Sequence, residues 1–155
     1  MNRDEYFLRI AYAVAARSSC VKRQCGALIV VDNHIVSTGY NGTPEGVLNC
    51  DDGGCARCQN RELRSGEKFD ECICSHAERN AVYFAARHGV AVAGGRLYST
   101  LRPCIWCLEA CVQAGVRQVS YAEQWPDGYK KQPEHCRLEL KVDVNWVRDI
   151  TLRAP

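Results

Sequence analysis

No run of about 18 consecutive apolar residues occurs anywhere in the 155 residues, so no segment reads as a membrane-spanning helix. The N-terminus, Met1-Asn2-Arg3-Asp4-Glu5, is polar and leads into helical rather than continuous apolar spacing. It lacks the form of a secretory leader, and a cytoplasmic protein is expected. Charge of one sign is also missing: 20 Lys and Arg stand against 18 Asp and Glu, for a net +2, with no block of either. The basic stripe that neutralises phosphates in a binder of long nucleic acid is therefore absent. Gly42, Gly46, Gly53 and Gly54 are not followed by the lysine and helix of a phosphate-cradling loop, which excludes ATP chemistry of that type. There is no internal repeat, low-complexity tract or linker. What remains is 46% hydrophobic and 25% charged, the composition of one globular domain over 1–155, with a core at 4–125 and a C-terminal extension at 126–155.

Cysteine is the abundant exception, with 11 residues. A reducing cytosol does not support a disulfide framework of that size, so metal ligation is the better account of some of them. Their clustering, Cys50, Cys55, Cys58, Cys72 and Cys74 and then Cys104, Cys107 and Cys111, suggests two coordination sites. Cys25, Cys111 and Cys136 read as small core residues.

The spacing of Tyr6, Phe7, Ile10, Ala11, Val14 and Ala15 predicts a helix over Asp4 to Arg17 with one buried face. Gly26–Val31 and Ile35–Gly39 read as a hairpin turning at Asp32-Asn33. Tyr40 to Gly66 has no apolar period and reads as a long loop, for which metal is the obvious cross-link. A helix is expected from Ser75, as N-cap, through Ala86, with Gly89 beyond its end. Arg96–Thr100, Cys104–Ala114 and Val116–Tyr121 then alternate strand, helix, strand. Past Trp125 a turn at Pro126-Asp127-Gly128, a short helix over Glu134–Leu140 and an edge strand over Val142–Val147 are expected. The economical architecture is one α/β domain with a mixed sheet of about five strands and helices on both faces.

Two motifs open two of these helices: His76-Ala77-Glu78 and Pro103-Cys104-Ile105-Trp106-Cys107. First-turn side chains lean toward the helix N-terminus, so both sets can converge just off a helix end, where the partial positive charge favours thiolate. One imidazole and two thiolates make three ligands, and a catalytic zinc leaves its fourth position to water. Two thiolates offset the zinc charge and acidify that water less than neutral histidines do, so a base must assist; Glu78 is placed for it. Alone, His-x-Glu is a solvated helix start and Cys-x-x-Cys a redox or structural pair. In this order, with the proline and both helix starts, they form the signature of zinc nucleobase deaminases.

The resemblance extends over about Tyr6 to Trp125. It is carried by Arg17–Gly26 (RSSCVKRQCG), Gly39–Pro44 (GYNGTP), Asn49-Cys50, Cys74–Ala81 (CSHAERNA), Leu97–Leu101 (LYSTL) and Gln113–Val116 (QAGV). On these segments the chain resembles the deoxycytidylate (dCMP) deaminase family of the zinc-dependent cytidine deaminase-like superfamily. The resemblance implies the three-layer α/β cytidine deaminase-like fold and hydrolytic deamination of dCMP to dUMP and ammonia. It implies a catalytic zinc on His76, Cys104 and Cys107, with Glu78 as proton shuttle. It also implies substrate contacts at Asn41, Ala77, Asn80 and Tyr121, a homo-oligomer, often a hexamer, and dCTP and dTTP as effectors. From spacing alone, Asn41-Gly42 is a turn, Asn80 decorates a helix face and Tyr121 is a core tyrosine. Trp106 reads as packing. His34, His88 and His135 lack metal-type context.

By the same resemblance, Cys20 and Cys50 fall where many relatives hold a structural zinc. With Cys55, Cys58, Cys72 and Cys74 they make six thiols for the four positions of a second, closed zinc site, and the spacing does not choose among them. Three other readings share the motifs: a zinc deaminase acting on another nucleotide, nucleoside or base (dCTP, cytidine, guanine), one acting on tRNA, which the charge disfavours, and a non-enzymatic zinc scaffold, which leaves Glu78 without a purpose.

Overall fold

The apolar period at the N-terminus folds as α1, Arg3–Ala15, in a computed structural model that describes residues 1–64, 66–125 and 143–147. Asn2 caps it, its side chain accepting from the Glu5 amide at 2.8 Å, and Asp4 and Glu5 in the first turn suit the positive end of the helix dipole. The hairpin pairs β1, Gly26–Val31, with β2, His34–Tyr40. Asp32 and Asn33 both take positive φ (49° and 65°), the combination whose twist matches that of the flanking strands. β3, Arg96–Leu101, pairs antiparallel with β1 and parallel with β4, Gln118–Glu123. The expected edge strand is β5, Asp143–Trp146, parallel to β4. The sheet is mixed and five-stranded, in the order β2-β1-β3-β4-β5.

Strand alternation divides the core between two faces. Leu28, Val30 and Tyr98 meet Phe7, Leu8 and Ala11 of α1. Ala27, Ile29, Leu97 and Val119 point the other way, against α3, Ala77–Arg87, and α4, Ile105–Gln113. Helices on both faces of one sheet make the three layers expected. Two glycines set the spacing of those layers. A Cβ on Gly26 would lie 2.1 Å from the Ala11 carbonyl oxygen, and one on Gly39 would lie 2.2 Å from that of Ala77.

α3 and α4 share an ending. Gly89 and Gly115 take positive φ (66° and 83°), and the amides of Val90 and Val116 reach back 2.9 Å to the carbonyls of Ala85 and Cys111. That explains why β4 starts two residues later than the β-rich run suggests: Val116 is committed to closing α4. Ser75 does not cap α3. Its backbone exchanges hydrogen bonds with Gly42 across an isolated bridge (2.8 and 3.2 Å), and His76 holds the N-cap position.

The segment read as a loop from Tyr40 to Gly66 is not structureless. It contains a 3-10 turn at Cys50–Asp52 and a short helix α2, Ala56–Gln59, and another 3-10 turn follows at Phe69–Glu71. The turn expected at Pro126–Gly128 and the helix over Glu134–Leu140 lie outside the described residues. Among the described residues no helix is long and apolar enough to cross a membrane.

Candidate active site

His76 and Cys104 occupy the N-cap positions of α3 and α4, and neither side chain makes a capping hydrogen bond. Both turn instead toward a common point with Cys107, one turn into α4. His76 Nδ1 lies 3.5 Å from Cys104 Sγ and 3.3 Å from Cys107 Sγ, and the two sulfurs are 3.5 Å apart. A tetrahedron of ligands about 2.3 Å from zinc has edges of roughly 3.8 Å, so this donor set fits a zinc ion in both chemistry and spacing. Contact with the Cys107 sulfur, ahead of His76, holds the Cys104 thiol down to about 4, while burial pushes Cys107 well up. The His76 ring meets the edge of Phe69 at 4.9 Å, and Trp106 stacks on Phe69 at 5.3 Å while remaining half exposed.

Glu78 stands beside this set, with Oε2 3.4 Å from Cys107 Sγ. It is 5% exposed, and Oε1 accepts from the hydroxyl of Ser99 at 3.0 Å. Burial raises its pKa above the ordinary carboxylate value, with Cys104 adding to the rise and His76 and Ser99 opposing it. A buried carboxyl that holds its proton more tightly than usual, next to a metal-type donor set, has the properties of a proton carrier.

His76, Glu78 and Cys104 line a cavity of about 530 Å³. Asn41 and Ala77 line it too. Lys22, Arg23, Arg57, Arg64 and Arg102 make its wall cationic, against Glu67 and Glu78. Arg23 is paired with Glu123, but Lys22 and Arg57 spend their donors on backbone carbonyls: Asn60 and Leu63 for the lysine, Arg64 and Glu67 for the arginine. Neither is in an ion pair with a carboxylate among the described residues.

The amide of Asn41 is committed on both sides. Oδ1 accepts from Ser18 Oγ and the Cys25 amide, each at 2.7 Å, and Nδ2 donates to the Arg23 carbonyl at 2.8 Å. Asn80 and Tyr121 are not among the residues lining the cavity. Asn80 Nδ2 donates to the Tyr40 carbonyl at 2.7 Å and ties α3 to β2. Tyr121 is 3% exposed in β4, and its hydroxyl accepts from Gln124 at 2.8 Å. Sequence reasoning missed Ser99, whose signal was a hydroxyl on the inward face of a buried strand. It also missed Phe69 and the cationic wall, which only tertiary placement assembles.

The six remaining clustered thiols gather together, and Cys20, Cys58, Cys72 and Cys74 among them also line this cavity. They form two quartets, Cys20, Cys50, Cys58 and Cys74, and Cys55, Cys58, Cys72 and Cys74, with all sulfurs of a quartet within 4.8 Å of one another. The closest pairs are Cys58–Cys72 at 3.7 Å, Cys55–Cys72 at 3.9 Å, and Cys20–Cys58 and Cys58–Cys74 at 4.0 Å. Hydrogen bonding to Cys74 is the main influence holding Cys20 and Cys72 down, each to about 5. Cys111 is wholly buried in the core and Cys25 packs against it, as expected; Cys136 and His135 lie outside the described residues. His34 bonds the Asp32 carbonyl and His88 that of Phe84, both local contacts.

Residues 1–123 match the family described as the cytidine and deoxycytidylate deaminase zinc-binding region. The deoxycytidylate deaminase of Schizosaccharomyces pombe is 42% identical over 118 residues, which are 76% of this chain and 36% of that protein. The Saccharomyces cerevisiae deoxycytidylate deaminase is 39% identical over 122 residues, 79% of this chain and 38% of that one. The chain thus spans little more than a third of the length of these two relatives. Among solved structures, the dCMP deaminase of cyanophage S-TIM5 in complex with dCMP and dUMP is 27% identical, with a TM-score of 0.70 over 92% of this chain and 95% of that one. The donor triad, the buried carboxylate beside it and the match over four-fifths of the sequence agree: this chain belongs to the zinc-binding cytidine and deoxycytidylate deaminase family.

Proposed function

We propose that the chain hydrolyses dCMP to dUMP and ammonia. One observation carries the reading: Glu78, buried and beside the His76–Cys104–Cys107 donor set, faces a cavity with a cationic wall. His76, Cys104 and Cys107 hold the zinc. When bound, the metal supplies Lewis-acid activation of a water molecule as the nucleophile. Glu78 does the proton work. It would take one proton from that water and pass it to the ring nitrogen beside C4, then take the second proton from the new C4 hydroxyl, as the carbonyl forms, and pass it to the departing amine. A C4–O bond forms, the C4–N bond breaks, and ammonia leaves.

Ser99 fixes the Glu78 carboxylate by its hydrogen bond to Oε1. Asn41 and Ala77 line the cavity and are assigned to the sugar and base. Asn41 shapes the cavity by pinning residues 18–25 to the end of β2, while Asn80 and Tyr121 serve from behind the wall. Lys22 and Arg57, without carboxylate partners among the described residues, favour a substrate that carries phosphate over a free base or nucleoside. The relative crystallised with dCMP and dUMP supports the same substrate.

Assembly into a homo-oligomer, a hexamer by family resemblance, and control by dCTP and dTTP belong to the same reading. Tyr83 and Phe84, each 48% exposed on α3, offer apolar surface for assembly. Free thiols at ten described positions suit a reducing cytoplasm.

The test is ammonia release by the zinc-loaded protein against cytosine, cytidine, deoxycytidine, their mono- and triphosphates, and guanine, with light scattering for mass. Highest kcat/KM on dCMP is expected. Silence on dCMP with turnover of another member overturns the substrate and keeps the chemistry. Silence on the whole panel overturns both.

A further inference from the structure

The two thiol quartets share an edge. Cys58 and Cys74 belong to both, Cys20 and Cys50 only to one, and Cys55 and Cys72 only to the other. Two tetrahedra joined along a sulfur–sulfur edge are the geometry of a binuclear centre with two bridging and four terminal thiolates.

We propose that the six cysteines bind two zinc ions together, with Cys58 and Cys74 as the bridging ligands. The proposal is independent of the activity assigned to the other site.

Three observations converge on it. The first is spacing. The shared edge Cys58–Cys74 is 4.0 Å, and the other close pairs run from 3.7 to 4.0 Å. All lie near the roughly 3.8 Å edge of a zinc–thiolate tetrahedron, and all are far beyond a disulfide bond of about 2.05 Å. The second is burial. Cys50, Cys55 and Cys58 are 0–2% exposed and Cys74 is 7% exposed, and the hydrophobic cluster they form contains no other residue type. A cluster whose hydrophobic members are all thiols gains little from apolar packing alone. The third is charge. Two zinc ions with six thiolates carry the same formal charge, about −2, as one zinc with four, yet leave no spare thiol 3.7–4.0 Å from a ligand. A mononuclear site on Cys20, Cys50, Cys58 and Cys74 strands Cys72 at 3.7 Å from Cys58, and one on the other quartet strands Cys20 at 4.0 Å from Cys58.

The chain supports the arrangement mechanically. The six ligands come from the stretch after α1, the turn at Cys50–Asp52, α2 with its N-cap, and the approach to α3. Arg57, 8% exposed, clamps the carbonyls of Arg64 and Glu67 and so fixes α2 against the segment leading to Cys72.

The test uses the full chain purified under reducing conditions. Elemental analysis is expected to give about three zinc per chain, one at His76–Cys104–Cys107 and two at the cluster; a value of two with the catalytic site loaded overturns the proposal. After exchange with cadmium-113, the β-protons of Cys58 and Cys74 are each expected to correlate with two cadmium resonances, and those of Cys20, Cys50, Cys55 and Cys72 with one. Correlation of every cysteine with a single cadmium overturns it. Replacing Cys55 and Cys72 together by serine is expected to remove one zinc and leave the other on Cys20, Cys50, Cys58 and Cys74. Should that variant fail to fold, the stoichiometry and cadmium spectrum of the unaltered chain decide the matter.

Discussion

Glu78 owes its position to its two oxygens, one turned to the Cys107 sulfur and one held by Ser99. Glu78→Gln keeps the shape and removes the proposed proton carrier. Ammonia release is expected to fall by roughly 10²–10⁴-fold while zinc content stays unchanged. Ser99→Ala tests positioning. The Ser99 hydrogen bond favours the charged carboxylate, so its loss raises the Glu78 pKa further. A base with a raised pKa is protonated at higher pH, and the acid limb of the pH–rate profile is expected to move upward, with kcat reduced and metal retained. A merely structural role leaves that limb in place. His76, Glu78, Cys104 and Cys107 were legible in the sequence because each pair sits within one helical turn, where spacing dictates geometry. Ser99 approaches Glu78 across 21 residues, and no local pattern announces such a meeting.

The placement of α3 depends on a missing side chain in β2. At Gly39 an added Cβ would lie 2.2 Å from the Ala77 carbonyl oxygen and 2.4 Å from the Ala81 amide nitrogen, both helix backbone and unable to swing aside. Gly39→Ala is expected to destabilise the fold by about 1–3 kcal/mol and, by displacing the first turn of α3, to lower kcat more than it raises KM. Thermal unfolding and steady-state kinetics check the two effects separately. Gly26 plays the equivalent part against α1, where metal content is expected to be unaffected by the change. Most element identities followed from periodicity. The error at Ser75 arose because a serine before a helix normally caps it, while here its backbone is already engaged with Gly42 across a bridge that joins the two sides of the cysteine-rich segment.

Across the whole molecule the two faces of the sheet carry apolar cores, whereas the lobe formed by residues 42–74 is packed around cysteine. Stripping zinc with a strong chelator is expected to lower the melting temperature and to raise amide exchange through 42–74, while α1 and β1–β3 keep their protection. Uniform exchange across the chain excludes a metal-built lobe. The mixed sheet and its layers were legible because apolar alternation reports which strands are buried. The clustering of cysteines in the lobe was legible too, but its 3-10 turn and short helix were not, since closely spaced thiols leave no hydrophobic period. A last consequence follows from the uncapped starts of α3 and α4. With the proposed ion held by His76, Cys104 and Cys107, the two helices share a single terminus and cannot fray separately: removing that ion is expected to unlatch 77–80 and 105–108 in one step, with matched exchange rates at the two sets of amides.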